Sequence, residues 1–441
     1  MNWIIHPIDI MNSKGIIVIF AVVIVVAAVA VVALTMNGGS NQSNNNAPEP
    51  EKFDPTEKTV DLGGVVKVFG NVNGDSVIDN TDLEYLKQIV DGKQAKTEFS
   101  DVNQDGKVDN SDVTQLQDML NRKDGTVVFY IGGDDTVAKV EWPLNTFVVL
   151  TNSPQLMAVA VGLSYPGILA YTKEDQVVFK SFEGAKVIAD GGLSDFENLT
   201  SNGIPDAVLV KETTELTDDL KLIYDKAGID IIRTASLDGF ESSSSALTIG
   251  YLVNKETQSQ KYCKWCSDFL NDVSTKVASI KKEDRHTALI MYGAKAVGGT
   301  TGSGQPYNEA LEAAGAISIA DFENYRTLTA DNKDWLLNYH NEYFIRIYTM
   351  GYSIDDAART TVYNKYAQLV DQTDAYKAGH YCVIDFTLPQ TLRIAYIAEF
   401  MYPEVFGAGY GDSWHQKLLD LEGIDYKVNG QFLWTPEKAA A

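Results

Sequence analysis

Phe147-Val148-Val149-Leu150-Thr151-Asn152-Ser153-Pro154-Gln155-Leu156, running on through Val161-Gly162-Leu163 to Ile168-Leu169-Ala170-Tyr171-Thr172, reads as strand, helix, strand. A short run of β-branched and aromatic residues is followed by Ser153-Pro154. Proline is tolerated in a first helical turn because no helix bond needs its missing N–H. Two short apolar strands separated by a helix imply parallel pairing, since parallel neighbours need a crossover.

The alternation extends in both directions. Val127–Ile131 precedes it, and strands recur at 186–189, 207–211 and 229–233, with a helix over 215–227. A long helical stretch over 243–280 carries Leu247, Tyr251, Phe269 and Val273 at helical spacing. Strands then resume at 288–292, 316–319, 343–348 and 381–386, with helices near 307–314, 332–338, 390–400 and 414–421. The expected fold class is therefore α/β: two Rossmann-like lobes, 124–240 and 283–441, bridged by a long helix over 241–282.

Upstream lies an internal repeat. Asn71-Val-Asn-Gly-Asp-Ser-Val-Ile-Asp-Asn-Thr-Asp82 and Asp101-Val-Asn-Gln-Asp-Gly-Lys-Val-Asp-Asn-Ser-Asp112 align without a gap. Oxygen-bearing side chains fall at loop positions 1, 3, 5, 9 and 12 in both. A 12-residue loop with that spacing can supply the six to eight oxygens a Ca²⁺ ion takes. The expected ligands are Asn71, Asn73, Asp75, Val77 (carbonyl), Asp79 and Asp82 in the first loop. In the second they are Asp101, Asn103, Asp105, Lys107 (carbonyl), Asp109 and Asp112. Gly106 suits the sharp turn at position 6, whereas Ser76 departs there and weakens the first site. The cofactor expectation is two Ca²⁺ ions.

Each loop feeds a helix with aspartate at position 12, and residues 63–123 so resemble a dockerin domain. The resemblance implies a cohesin-like partner bound through the helix face after each loop. Asn80-Thr81 and Asn110-Ser111 are the corresponding recognition pairs, and their near-identity would permit two symmetry-related poses. A calcium-stapled spacer without a partner is the plainer reading of the same residues.

Gly15 to Leu34 is an uncharged run of 20 residues, enough for a helix to span the roughly 30 Å hydrocarbon core. It reads as a transmembrane anchor (15–35) or a secretion signal. Lys14 places the short segment 1–14 in the cytoplasm. No cysteine follows, which argues against a lipoprotein. The polar stretch 36–62 reads as a flexible linker. The expected location is the cell membrane, single-pass, with the large domains extracytoplasmic.

Of the 441 residues, 45% are hydrophobic and 22% charged, as in an ordinary globular chain. Lys+Arg 36 against Asp+Glu 60 gives a net charge of −24, which argues against nucleic acid as a partner. Cys263, Cys266 and Cys382 make no disulfide framework. The C-x-x-C lies in a helical pattern without a second Cys/His pair, so its cysteines read as structural. The five histidines show no metal-ligand spacing, and no nucleophile triad or phosphate loop is present. No enzyme is expected.

At larger scale the chain resembles the substrate-binding proteins of iron-siderophore and cobalamin ABC importers, whose two lobes are joined by one long helix. The likeness is carried by Leu150–Leu156 with Val161–Leu163 and Ile168–Tyr171, by Gly203-Ile-Pro-Asp-Ala-Val-Leu-Val210, and by Ala227-Gly-Ile-Asp-Ile231. Tyr307-Asn-Glu-Ala-Leu-Glu-Ala-Ala-Gly-Ala316 and Ala398-Glu-Phe-Met-Tyr-Pro-Glu-Val-Phe406 continue it. It implies a metal chelate (ferric siderophore, cobalamin, cobinamide or haem-like) held between the lobes and passed to an ABC permease. A surface scaffold or sensor assembled through a dockerin–cohesin contact is the alternative. Ligands sit beyond the carboxyl ends of parallel strands, which places the cleft at Asn152, Ser153, Tyr171, Leu193, Lys211, Tyr292, Met350, Tyr352 and Phe386. Tyr307 and the glycine-rich loop with Gly302 and Ser303 complete the expected site.

Overall fold

The computed structural model describes residues 60–172, 180–189, 192–235, 242–298, 305–320, 325–338, 340–348 and 354–441, with Lys58, Met350 and Tyr352. The apolar run Gly15–Leu34, the linker before Lys58, and Gly302 and Ser303 lie outside the described residues. Among the described residues no helix is long and apolar enough to cross a membrane.

The repeat folds as loop–helix twice. Helix α1 spans Asn80–Val90 and α2 spans Asn110–Leu120. Both open with a reciprocal capping box, Asp79 with Asp82 and Asp109 with Asp112, so the same carboxylates that end each loop also start its helix. Leu83, Leu86, Ile89, Leu116 and Met119 are buried, and their hydrophobic cluster runs on without a break into the lobes.

Residues 124–141, of which only Val127–Ile131 was expected as a strand, form an antiparallel hairpin. Strands β1 (Val127–Ile131) and β2 (Val137–Glu141) pair with Val127 opposite Glu141. Backbone from before the first loop adds to the free edge of β1: Phe69 N–H donates to the Phe129 carbonyl at 2.9 Å and Ile131 N–H to that of Lys67 at 2.8 Å.

The first lobe is a five-stranded sheet of β3 (Phe147–Val149), β4 (Ile168–Thr172), β5 (Lys186–Ile188), β6 (Ala207–Lys211) and β7 (Asp230–Thr234). Its order is β5-β4-β3-β6-β7 and all pairs are parallel. The central strands are buried on both faces, as parallel sheets require. Strand order reverses between β3 and β6, so the ligand crevice of this sheet falls beyond Val149 and Lys211. Helix α3 (Asn152–Ala160) follows β3. Helix α4 (Asp218–Ala227) starts where Thr217 accepts the Leu220 N–H and stops at left-handed Gly228.

The expected single bridging helix is two helices, α5 (Ser242–Leu252) and α6 (Glu256–Ala278). Asn254 breaks the run with φ 56°, a left-handed conformation asparagine tolerates better than most residues. A Cβ on Gly250 would sit 2.2 Å from the Ser259 hydroxyl, so glycine there lets the turn close. Apolar periodicity continues through the break, which is why the sequence reads as one helix. The 23 residues of α6 span about 34 Å and do the bridging.

The second lobe has a seven-stranded sheet: β8 (Thr287–Tyr292), β9 (Lys295–Val297), β10 (Ile317–Ser318), β11 (Tyr325–Thr327), β12 (Tyr343–Tyr348), β13 (Tyr381–Asp385) and β14 (Leu433–Trp434). β10, β8, β12 and β13 are parallel, while β9, β11 and β14 are antiparallel additions. Helices α7 (Gln305–Ala313), α8 (Asp356–Ala367), α9 (Gln390–Met401) and α10 (Tyr410–Leu421) cover it. α9 is buried along nearly its whole length, as expected of a helix apolar on all sides. Trp414 of α10 packs edge-on to Trp265 and Phe269 of α6, at 6.3 and 5.3 Å between centroids, tying the bridge to this lobe. Cys263 and Cys266 are buried in α6 and free. Burial pushes the Cys266 thiol up to about 12, which disfavours its thiolate form.

Candidate functional site

The two repeat loops are built differently. In the second, Gly106 takes φ 89° and its N–H donates to Asp101 Oδ2 at 3.0 Å. This position 6 to position 1 bond folds the loop around a centre. Asp101 Oδ1 is enclosed and has no hydrogen-bond partner. Asp105 Oδ1 accepts from Lys107 N–H at 2.9 Å, and Asp112 accepts from Val102, Asn103 and Asp109. The orphaned oxygen is an acceptor a hard cation would take.

In the first loop the carboxylate at position 1 is replaced by an amide. Asn71 Nδ2 donates to the Val66 and Asp75 carbonyls, each at 2.8 Å, and its Oδ1 accepts from Asp75 N–H at 3.2 Å. Asn73 Nδ2 donates to Asp75 Oδ2 at 2.9 Å. Burial, with Asp75 and Asp79 nearby, pushes the Asp82 carboxyl up to about 7. Among the described residues no three His, Cys, Asp or Glu side chains converge as a metal-holding group. Any fit therefore rests on amide and carbonyl oxygens as well as carboxylates.

The two expected recognition pairs are not equivalent either. Asn110 and Ser111 are exposed, whereas Thr81 is 9% exposed and only Asn80 of its pair reaches solvent. Two symmetry-related poses therefore do not follow.

In the lobes, three expected cleft residues come together. Tyr292 at the end of β8, Tyr307 on α7 and Phe386 just past β13 form an aromatic wall, with centroids 5.9 Å (Tyr292–Tyr307) and 5.1 Å (Tyr292–Phe386) apart. All three are half-buried. Behind them lies Arg393 of α9, which the sequence reading missed. Its guanidinium carbon is 5.3 Å from the Phe386 ring and 5.8 Å from that of Tyr307, and Nη2 donates to the Phe386 carbonyl at 3.1 Å. The available signal was an arginine standing alone in an otherwise apolar helix.

At the first lobe's switch point Thr151 takes φ 64°, ψ 168° and α3 opens without a side-chain cap. A β-branched residue in that region is strained. The strain is held by Thr151 N–H donating to Thr172 Oγ1 at 2.6 Å and by Gln155 Nε2 donating to the Thr172 carbonyl at 2.7 Å. Asn152 Oδ1 is enclosed without a hydrogen-bond partner. Ser153, Tyr171 and Lys211 are half-buried at the same sheet end.

Leu193 and Met350, expected in the cleft, belong to the core instead, and Tyr352 packs half-buried against it. Leu193 is buried beneath Tyr224, whose hydroxyl donates to its carbonyl at 2.8 Å. Met350 is fully buried in the second lobe's outer cluster. Tyr352 hydrogen-bonds His415 Nε2 at 2.8 Å and packs on Phe432. Each was proposed from its nearness to a strand end, and each side chain turns inward because a loop leaving a buried strand still has apolar surface to cover.

Sequence comparison with curated proteins finds no match. Solved structures do match. A TroA-like periplasmic binding protein, FepB from Veillonella parvula, is 14% identical with TM-score 0.51, covering 70% of this chain and 99% of that one. A periplasmic solute-binding protein from the same organism is 11% identical with TM-score 0.53, covering 70% and 97%. The molybdate periplasmic binding protein MolA of a Haemophilus influenzae ABC transporter, solved with molybdate, is 12% identical with TM-score 0.52, covering 68% and 99%. The lobes thus carry the fold of the periplasmic substrate-binding proteins of ABC importers. Ahead of them, residues 70–121 match the family model of the dockerin type I domain.

Proposed function

We propose that this chain captures a metal chelate between its two lobes and presents it to an ABC permease, held at the membrane by its N-terminal apolar segment. The observation that supports this reading is the wall of Tyr292, Tyr307 and Phe386 backed by Arg393, at the carboxyl ends of parallel strands in a periplasmic-binding fold. Flat aromatic faces suit a bulky ligand, and the guanidinium lowers the cost of bringing an anionic one against them. Binding and release without covalent chemistry is all this arrangement asks, so no catalytic role is assigned.

The dockerin-like module adds a docking function. Calcium, bound at the second loop by Asp101, Asn103, Asp105, the Lys107 carbonyl, Asp109 and Asp112, would neutralise carboxylates that otherwise repel one another. The exposed Asn110-Ser111 pair supports a cohesin-like partner on α2.

Native mass spectrometry and ultraviolet–visible spectra of protein purified from its source test the main reading. A co-purifying iron- or cobalt-containing small molecule is the expected result. A clean apo mass, with no thermal shift across ferric siderophores, cobalamins and haem, would move the function to the dockerin-like module and a scaffold role.

A further inference from the structure

We propose that the first repeat loop binds no calcium and instead is a clasp that fastens the dockerin-like module to helix α5, leaving the second loop as the one calcium site of the module. The inference rests on the reading of the second loop given above.

The first loop lacks the position 6 to position 1 bond that Gly106 makes to Asp101 in the second. Ser76 stands at position 6, where the second loop has Gly106 at φ 89°, and Ser76 does not adopt a positive φ. Its N–H therefore does not turn back to position 1. It donates to the Val60 carbonyl at 3.2 Å. The Ser76 hydroxyl accepts from Leu62 N–H at 3.0 Å and donates to the Gly64 carbonyl at 2.5 Å. The residue at the loop's turning position thus faces away from the loop and holds the strap 60–66.

The side chains at positions 1 and 3 turn amide N–H groups toward oxygens around the loop. Asn71 gives one N–H to Val66 and one to Asp75, and Asn73 gives one to the Asp75 carboxylate. Turning the Asn71 amide over would set its oxygen 2.8 Å from two carbonyl oxygens, so the network fixes its orientation. Asn71, Asp75 and Ser76 are all buried, at 0–2% exposure. In the second loop Asn103 Nδ2 points instead to the Ser111 hydroxyl at 2.8 Å, and the carboxylate at position 1 keeps an oxygen without a partner.

The strap in turn is seated on α5. Val65 N–H donates to Ser244 Oγ at 3.0 Å and Lys67 N–H to Thr248 Oγ1 at 2.8 Å. A Cβ on Gly64 would come within 2.6 Å of the Ser244 nitrogen, so only glycine permits this approach. Loop, strap and α5 form three successive layers joined by hydrogen bonds that require no metal.

The test is a titration of the full chain in detergent, first stripped with chelator, using Ca²⁺ by calorimetry and Tb³⁺ by sensitised luminescence. One site per chain is expected, abolished by Asp105→Asn and retained in Asp75→Asn. Hydrogen exchange at 60–68 and 242–250 should be unchanged by chelator, while 101–112 loses protection. Two sites, or loss of the single site in Asp75→Asn but not Asp105→Asn, would overturn the proposal with calcium binding by the module intact. No site at all would overturn the reading of the second loop on which it rests. If Asp75→Asn does not fold, Ser76→Ala replaces it, and the stoichiometry must again remain one.

Discussion

The Arg122 guanidinium carbon lies 4.2 Å from the centroid of the Trp142 ring. The same carbon is 4.2 Å from the ring of Tyr251, and Nη1 donates to the Tyr251 carbonyl at 2.8 Å. Glu256 at the start of α6 pairs with the guanidinium. The residue that closes the dockerin-like module is therefore clamped by the hairpin and by the helix pair that links the lobes. Burial draws its pKa down, with Tyr251 opposing that shift. Arg122→Ala should destabilise this junction by about 2–3 kcal/mol, the sum expected for a partly buried cation–π pair and a charge-assisted hydrogen bond. Arg122→Lys should recover less than half, since an ammonium cannot stack on two rings. Limited proteolysis between residues 121 and 127, alongside urea denaturation, checks this, and unchanged proteolysis in Arg122→Ala would refute it.

Burial of Thr81 beside exposure of Ser111 bears on docking. A bulky charge at Ser111 (Ser111→Arg) should weaken binding to a cohesin module by tenfold or more, roughly 1.4 kcal/mol. Asn80→Arg should change it less than about threefold, or roughly 0.65 kcal/mol. Surface plasmon resonance with immobilised cohesin distinguishes the outcomes, and equal losses would restore the two-pose expectation.

Ligand capture should depend on the aromatic wall more than on any one polar group. Tyr307→Ala is expected to lower affinity for the co-purified ligand by about tenfold, and Tyr307→Phe by less than threefold, if stacking rather than the hydroxyl carries the contact. Arg393→Lys should cost more for an anionic ligand than for a neutral analogue of similar size. Calorimetry of the variants, each first shown to retain the wild-type melting temperature, provides the measurement.

Stability should fall in mild alkali. Burial pushes the Glu422 carboxyl up to about 8, above its ordinary value of about 4.3. A raised acid favours the folded state when protonated, so its contribution is complete below about pH 4.3 and is lost as pH rises through about 8. His415 acts in the opposite sense. Burial holds its pKa down to about 3, so its contribution is complete above about pH 6.5 and lost toward acid. Between pH 6.5 and 8.5 His415 stays neutral, while Glu422 and the Asp82 carboxyl, pushed up to about 7, both lose stability; the Glu422 share should be about 1–2 kcal/mol after discounting for partial solvent screening. Glu422→Gln should make the melting temperature fall less steeply over that range, and an unaltered slope would exclude Glu422 as a cause.

Much of this molecule was legible along the chain. Short apolar β-branched runs and period-3.6 patterns located most strands and helices, because a doubly covered strand is apolar throughout and a buried helix face repeats at its own geometry. The loop repeat showed itself through oxygen spacing, and Tyr292 and Phe386 through their place at the ends of parallel strands. What the chain could not display was direction and company. Asn71 and Asp101 hold the same loop position, yet one is locked to main-chain carbonyls and the other keeps an open oxygen. That difference comes from a strap anchored on α5, about 180 residues away in sequence. Leu193, Met350 and Tyr352 follow strand ends as Tyr292 does, but packing turned them inward. Arg393 reached the wall only because α9 is buried against it. Local pattern is set by neighbours in sequence, whereas the burial of a single polar atom is set by whatever the fold brings against it, and only the tertiary structure decides that.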